Sequence, residues 1–326
     1  MVAQPNSGNV YVACVPHTPV IQLQESQKQA SAGFWAAYDA RVAEFDAFDP
    51  ELVVVFGSDH YSNIHLNLTP SFMVGHAAEA IDDCGGLPGK LDVPMDLTLA
   101  LSRRLMEEEF DIANSYAMKV DHGFTNMLAI FFHRKIAARP VIPVFINALA
   151  EPRPSMRRCR ELGEVIGAWA GVLGKRVAFL GSGGLSHETG AIFPQYHNAS
   201  NEKLRHYIVN GGSEEGIPEK KWHDDIARMM DIGSAKLVEG VGKTSVRKEW
   251  DERFLEVLAS GDLAQFDSWM DADMIRDGGQ GGSEVRLWLA AVAAGKAAGG
   301  KPLVVDYYSD TTTIGVGAGV VHAPAA

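Results

Sequence analysis

Three short apolar runs, each followed within a few residues by a histidine, constrain this chain more than any other feature. Tyr11-Val-Ala-Cys-Val-Pro-His17 is the first and Leu52-Val-Val-Val-Phe-Gly-Ser-Asp-His60 the second. Arg176-Val-Ala-Phe-Leu-Gly-Ser-Gly-Gly-Leu-Ser-His187 is the third. Valine-rich runs without polar alternation read as strands buried on both faces, the pattern of sheets covered by helices on each side. In open α/β sheets ligands bind outside the carboxyl ends of the strands, so residues there converge on one crevice. Two neutral imidazoles and a carboxylate in such a crevice would bind a divalent metal and leave positions free for reactants.

The rest of the chain supports that architecture. Strands are expected at Val10–Val15, 52–56, Val141–Ile146, 177–180 and 303–308, with a crossover helix within 22–48 and another over 154–173. A further helix is expected to begin near Thr125. Strands alternating with helical segments predict an α/β fold whose central sheet is mixed or mostly parallel and flanked by helices. Two regions break the rhythm. Cys84-Gly-Gly-Leu-Pro-Gly89 is a turn-rich loop, and residues 188–242 turn polar, with scattered histidines and Gly211-Gly-Ser-Glu-Glu-Gly216. The second region reads as a polar, partly helical surface insertion in a single catalytic α/β domain spanning 1–326.

Charge and cysteine content narrow the partners. A formal charge of −12 over 326 residues argues against binding a phosphate backbone, which needs a basic surface, so no nucleic-acid partner is expected. Cys14, Cys84 and Cys159 are odd in number and far apart, which suits a reducing cytoplasm better than a disulfide framework. No apolar run approaches the roughly 18 residues of a membrane span, so no membrane partner is expected.

Four histidines stand in contexts that suit chemistry. His17 lies between prolines in Pro16-His-Thr-Pro19, which restrict the backbone at a strand exit. His60 follows Gly57-Ser-Asp, a turn able to aim its ring, and Asp59 is a weak candidate for the acceptor of its second ring N–H. His122 follows Asp121 and precedes Gly123, which permits close approach of backbone or ligand; the plainer reading makes Asp121 and His122 a cap for the next helix. His187 ends a glycine-rich bend that lacks the Gly-Lys-Ser/Thr of a phosphate cradle. His65, His76, His133, His197, His206, His223 and His322 share no strand-end context and read as surface or packing residues. Gly242-Lys243-Thr244 imitates the end of a P-loop, but Leu237 stands where its first glycine belongs and no apolar strand precedes it. No G-x-S-x-G elbow supports a serine hydrolase.

Taken in order, Pro16-His-Thr-Pro, Pro50-Glu-Leu-Val-Val-Val-Phe-Gly-Ser-Asp-His-Tyr61, Met118-Lys-Val-Asp-His-Gly-Phe124 and Pro143-Val-Phe-Ile-Asn147 form a specific set. Phe179-Leu-Gly-Ser-Gly-Gly-Leu-Ser-His187 and Gly282-Ser-Glu-Val-Arg-Leu-Trp-Leu-Ala290 complete it. The set resembles the class III extradiol ring-cleavage dioxygenases, the superfamily of the protocatechuate 4,5-dioxygenase β subunit. Within it the likeness is to 2,3-dihydroxyphenylpropionate 1,2-dioxygenases and catechol 2,3-dioxygenases. It covers about residues 10–319 and is weakest over 188–242. The resemblance implies Fe(II) held by His17, His60 and Glu284, with His122 and His187 as acid/base residues; all five positions carry the expected residue type. Taken alone, Glu284 would read only as an acid favoured at a helix start.

The resemblance further implies extradiol cleavage of a catechol, with 3-substituted catechols first, by Fe(II) and O2 to a semialdehyde or keto-enol acid. His187 would take a proton from the diol and later return one, and His122 would hydrogen-bond substrate or oxygen; sequence leaves base and acid between the two open. Gallate, protocatechuate and 2-aminophenol types are alternative substrates, and a metal-dependent hydrolase or a non-enzymatic binding member are alternatives of another class. Arg286 and Lys119 are cations near the motifs, more simply read as solvated. Family members are commonly homo-oligomers, which is the expectation here.

Overall fold

The computed structural model describes residues 9–19, 29, 31–84, 86–310 and 313–325. Residues 22–28 and 30 of the first expected crossover helix, and Gly85 of the turn-rich loop, lie outside them. The strands are β1 (Val10–Val15), β2 (Leu52–Gly57), β3 (Phe72–Gly75), β4 (Ala78–Ala80), β5 (Gly89–Lys90), β6 (Ala113–Ser115), β7 (Met118–Val120), β8 (Val141–Ile146), β9 (Val177–Ser182), β10 (Val304–Ser309) and β11 (Ala318–Ala323). The helices are α1 (Ala32–Phe48), α2 (Met95–Glu107), α3 (His122–Phe131), α4 (Met156–Gly171), α5 (Glu202–Asn210), α6 (Glu219–Val238), α7 (Lys248–Ser260), α8 (Asp271–Gly278) and α9 (Val285–Ala297).

The main sheet runs β10-β11-β1-β9-β2-β8-β3-β6. Its centre, β1-β9-β2-β8, is parallel throughout, and β11 and β3 join antiparallel on either side. The expected mostly parallel α/β sheet is therefore present. Its alternating residues feed two cores. Val12, Cys14, Val54, Phe56 and Phe179 pack towards α4 and α9, whereas Tyr11, Val15, Val53, Val55 and Leu180 pack towards α1 and α3. Both faces are dry, which is why these strands lack polar alternation. Each large apolar side chain so buried contributes about 1.5–3 kcal/mol.

Helices α4 and α9 lie against each other through small residues. A side-chain carbon at Gly163 or Gly167 would collide with the carbonyl oxygens of Ala290 or Ala294. That close seating sets the height of α9, whose first turn follows directly on Glu284.

Two expectations need correction. The helix placed near Thr125 begins at His122, because Asp121 accepts the Gly123 N–H (2.9 Å) and caps it there. The sheet also gains a strand beyond 303–308, the last one expected from the sequence. Strand β11 pairs with both β10 and β1. The polar stretch 188–242 is partly helical, as expected, holding α5 and α6. Trp222 and Ile226 of α6 are buried with Tyr207 and Ile208 of α5 and with Phe193.

Candidate active site

His17, His60 and His187 all lie beyond the carboxyl ends of adjacent parallel strands, β1, β2 and β9. His122 opens α3, and Glu284 immediately precedes α9. All five line one cavity of about 270 Å3, at the small end of ligand pockets, which begin near 300 Å3. The seven other histidines stay outside it. His76, for example, bonds Thr98 and Asn114, and His322 bonds Asp306.

Each ring is turned by a fixed partner. Ser182 Oγ donates to the Gly123 carbonyl (2.6 Å), so the 3.0 Å contact from His17 Nδ1 requires the proton on Nδ1 and leaves Nε2 with its lone pair. His60 Nδ1 lies 3.1 Å from Asp121 Oδ2, an acceptor, which places a proton on Nδ1 here too. The two Nε2 atoms converge on a single carboxylate oxygen: Glu284 Oε1 is 3.4 Å from His17 Nε2 and 3.3 Å from His60 Nε2. The other Glu284 oxygen accepts the Gly184 N–H at 2.8 Å.

Asp121 holds the centre together. It accepts the His60 backbone N–H (2.8 Å), the His60 ring N–H and the Gly123 N–H. Asp59, the weak candidate for orienting His60, does something else. Its carboxylate folds back on its own loop and accepts the N–H groups of Ser62, Asn63 and Ile64 at 2.9–3.2 Å. Adjacent residues at a strand exit point apart, and an aspartate there readily closes a local turn. Gly123 fulfils its expected role, since a side chain there would strike the Ser58 carbonyl and crowd the His60 ring.

His122 stacks on His60 with ring centroids 4.2 Å apart, and its Nδ1 donates to Asp83 Oδ2 at 2.5 Å. Nothing in the sequence around Asp83 signalled this pairing. His187 is half-buried, donates Nδ1–H to the Leu185 carbonyl (2.9 Å) and so presents Nε2. Its loop bends at Gly183, where φ is 130°, and is pinned by buried Asp251, which accepts from Ser186 N (2.8 Å), Ser186 Oγ (2.9 Å) and Tyr308 (3.0 Å).

The electrostatics follow from burial set against these partners. Burial opposes charge on Glu284, yet the imidazoles of His17 and His60 outweigh it and hold the carboxyl well below the usual range. His17 is depressed by burial, while Asp121 and Glu284 overcome burial at His60 and push it up to about 9. Burial likewise opposes charge on His122, but Asp83 and Asp121 hold it well above an ordinary histidine.

The donor set fits a divalent metal. Two ligands about 2.1 Å from one ion and roughly at right angles lie about 3 Å apart, close to the spacing of Glu284 Oε1 from each Nε2. His17, His60 and His122 each offer a ring nitrogen within 4.8 Å of the others, and Asp83, Cys84 and His122 form a second such group. Both imidazoles beside Glu284 donate their second N–H to a fixed acceptor, as metal-bound histidines generally do.

The outer cavity comes from the polar stretch. Ile192, Phe193, Met229, Met230 and Leu237 line it, facing Ile314 and Val316. Lys243 and Thr244 of the rejected P-loop lookalike line it too. Neither cation near the motifs reaches it. Arg286 is fully buried, donating to the carbonyls of Pro154 and Ser283 and to Asp271, and Lys119 points outward from β7.

The family profile described as the catalytic LigB subunit of aromatic ring-opening dioxygenase matches residues 11–321. The chain belongs to that family. It is 36% identical over 317 residues to a 2,3-dihydroxyphenylpropionate/2,3-dihydroxicinnamic acid 1,2-dioxygenase of Azotobacter vinelandii, covering 96% of this chain and 98% of the relative. Proteins of the same description from Rhodococcus (35% over 319 residues) and Cupriavidus necator (36% over 322 residues) cover 97% of the chain. A crystal structure of an uncharacterized protein from Escherichia coli K12 shares the fold, with a TM-score of 0.53, 14% identity, and coverage of 96% of this chain and 99% of that one. The protein is thus an extradiol dioxygenase with a metal-binding site, and the hydrolase and binding-protein alternatives fall away. No helix among the described residues is long and apolar enough to cross a membrane.

Proposed function

We propose that this enzyme cleaves the ring of a 3-substituted catechol beside its diol, using O2 and an Fe(II) ion held by His17, His60 and Glu284. The observation that carries the ligand assignment is the convergence of the His17 and His60 Nε2 atoms on one Glu284 oxygen. Two imidazoles and one carboxylate suit non-haem Fe(II). When bound, the iron supplies the redox chemistry that lets dioxygen react with the diol. Family members named for 2,3-dihydroxyphenylpropionate motivate the substrate class.

The protein's own contribution is orientation and proton movement. His187 Nε2 carries a lone pair and has a backbone carbonyl as its partner at Nδ1, which suits it to take a proton from the diol and return it as the ring opens. His122 is kept protonated by Asp83 and suits the donor role, hydrogen-bonding substrate or oxygen. The apolar walls exclude water from the ring. Both atoms of O2 end in the open-chain semialdehyde or keto-enol acid.

The test is dioxygen uptake by protein loaded anaerobically with Fe(II), against a panel of catechols, gallate, protocatechuate and 2-aminophenol. Uptake with a yellow product, lost in Glu284→Ala, is expected for 3-substituted catechols. Uptake with gallate or 2-aminophenol alone would overturn the substrate, and Fe(II) binding unchanged in Glu284→Ala would overturn the ligand.

Two wider properties belong to the same reading. A cytoplasmic setting accords with three free, buried cysteines. A homo-oligomer accords with edge strand β10, whose Val304 and Val305 are exposed, and light scattering in solution tests it.

A further inference from the structure

We infer that Asp83, Cys84 and His122 form a second metal site, suited to a thiophilic divalent ion of the Zn(II) kind, whose occupation takes His122 out of the reaction and leaves the iron in place. The pairing of two short strands builds it. β4 and β7 run parallel with Ala80 opposite Val120, and the Ile81 N–H carries that pairing on to the Val120 carbonyl at 3.0 Å. Parallel strands leave a sheet at the same end, so Asp83 and Cys84 after β4 meet His122 after β7. The Cys84 sulfur, an Asp83 carboxylate oxygen and a His122 ring nitrogen lie within 4.8 Å of one another, and all three residues are buried. Zn(II) takes these three donor types, with sulfur about 2.3 Å and nitrogen or oxygen about 2.0–2.2 Å from the ion. The thiolate selects such an ion over Mg(II) or Ca(II).

Two further observations point to a cation. Asp83 Oδ2 accepts from His122 Nδ1 at 2.5 Å, whereas Oδ1 is buried and has no hydrogen-bond partner among the described residues. A buried carboxylate oxygen left bare is costly, and a coordinated ion would satisfy it. Asp83 and Cys84 are also the buried members of a surface cleft of about 540 Å3 that shares no lining residue with the substrate cavity. Exposed Asp82, Glu219 and Asp224 line the same cleft, and its one lysine, Lys220, is paired with Asp224 at 2.8 Å. Walls with this excess of acid draw cations inward. Binding exchanges protons for the ion: Cys84 gives up its thiol proton and His122 the Nδ1 proton that Asp83 accepts, and both pass to solvent. His122 is then a ligand and cannot serve as an imidazolium acid. That consequence rests on the ring-cleavage reading; the site itself does not.

The experiment reads the site first without turnover. Glu284→Ala, which lacks the carboxylate of the iron site, is titrated with Co(II), whose thiolate complexes absorb in the near ultraviolet. A sulfur-to-cobalt band should saturate at one equivalent, be bleached by Zn(II), and be absent when Cys84→Ser is added. Metal-free wild type, offering both sites, should show the same band, so the reading survives a failure of Glu284→Ala to fold. Cobalt bound without the band, or a band that persists in Cys84→Ser, would overturn the site. The Fe(II)-loaded enzyme is then assayed with Zn(II). The ion should lower kcat about 100-fold, as loss of a general acid does, with iron content unchanged. Cys84→Ser, measured against its own zinc-free rate, should need on the order of 10- to 100-fold more Zn(II) for the same inhibition. Inhibition that follows iron loss, or is equal in the two proteins, would overturn the effect on His122. If the wild type cleaves no diol, the ring-cleavage reading fails by itself, while the cobalt band still decides the site.

Discussion

The floor of the cavity consists of buried polar groups with fixed partners, whereas the roof is mainly apolar side chains from a helix that is largely exposed. On the floor, His17, His60, His122 and Glu284 are each at most 4% exposed, and each is oriented by a serine, an aspartate or a backbone N–H. On the roof, Met229 is 44% exposed and Lys243 stands at the surface. Buried networks that are fully satisfied hold geometry rigidly, and their members fail together. Apolar walls with a solvent edge tolerate change and govern which substituents fit. One wall should therefore set whether the reaction happens, and the other what it happens to.

The largest effect should follow from cutting the floor at its carboxylate. Glu284→Ala should take ring cleavage to background and lose iron, measured by metal content and oxygen uptake; full iron retention would break the comparison. His187→Ala and His122→Ala should lower kcat about 100- to 10,000-fold while retaining most of the iron. Asp121→Asn, which removes the charge orienting His60, should weaken metal affinity roughly 10- to 100-fold, read by competition with a chelator. On the roof, Met230→Ala should change KM several-fold, as expected for a trimmed apolar wall, with iron content and kcat near wild type. An equally large loss of kcat there would erase the distinction between the walls.

A separate effect, on stability and not on turnover, concerns pH. Burial pushes the Asp251 carboxyl up to about 6, against hydrogen bonds from Ser186 and Tyr308 that lower it. The folded protein therefore keeps this proton up to about pH 6, while the unfolded chain releases it near pH 4. Between those values the unfolded state binds fewer protons, so this group lowers stability as pH rises, by roughly 3 kcal/mol across the window. Asp251→Asn should flatten that part of the curve of denaturation midpoint against pH.

The floor was legible in the sequence because short valine-rich strands announce their own ends, and a histidine just past such an end has few places to go. Glu284 was not legible from pattern, since an acid at a helix start has an ordinary explanation; only the resemblance singled it out. Asp83 and Ser182 were invisible for a different reason. They reach their histidines across 39 and 165 residues of chain, a separation that no local pattern encodes. The roof escaped because α6 reads as a polar surface helix, and the few side chains it turns inward do not outnumber its charges. Lys243 was set aside because it sat in a broken motif, although its position depends on the loop after α6 and not on that motif.

The seating of α9 on α4 carries a consequence for how this enzyme could vary. Gly163 and Gly167 let the two helices touch backbone to backbone, and Glu284 stands at the tip of the helix they seat. Those glycines work as a depth stop, setting how far a carboxylate projects into a chamber that neither of them lines. A methyl group added at Gly163 would act as a shim, shifting the helix and withdrawing the tip by a fraction of an ångström. Substitutions that retune the reaction should therefore turn up on a helix face on the far side of the sheet from α3 and its histidine, where inspection of the cavity alone would never look.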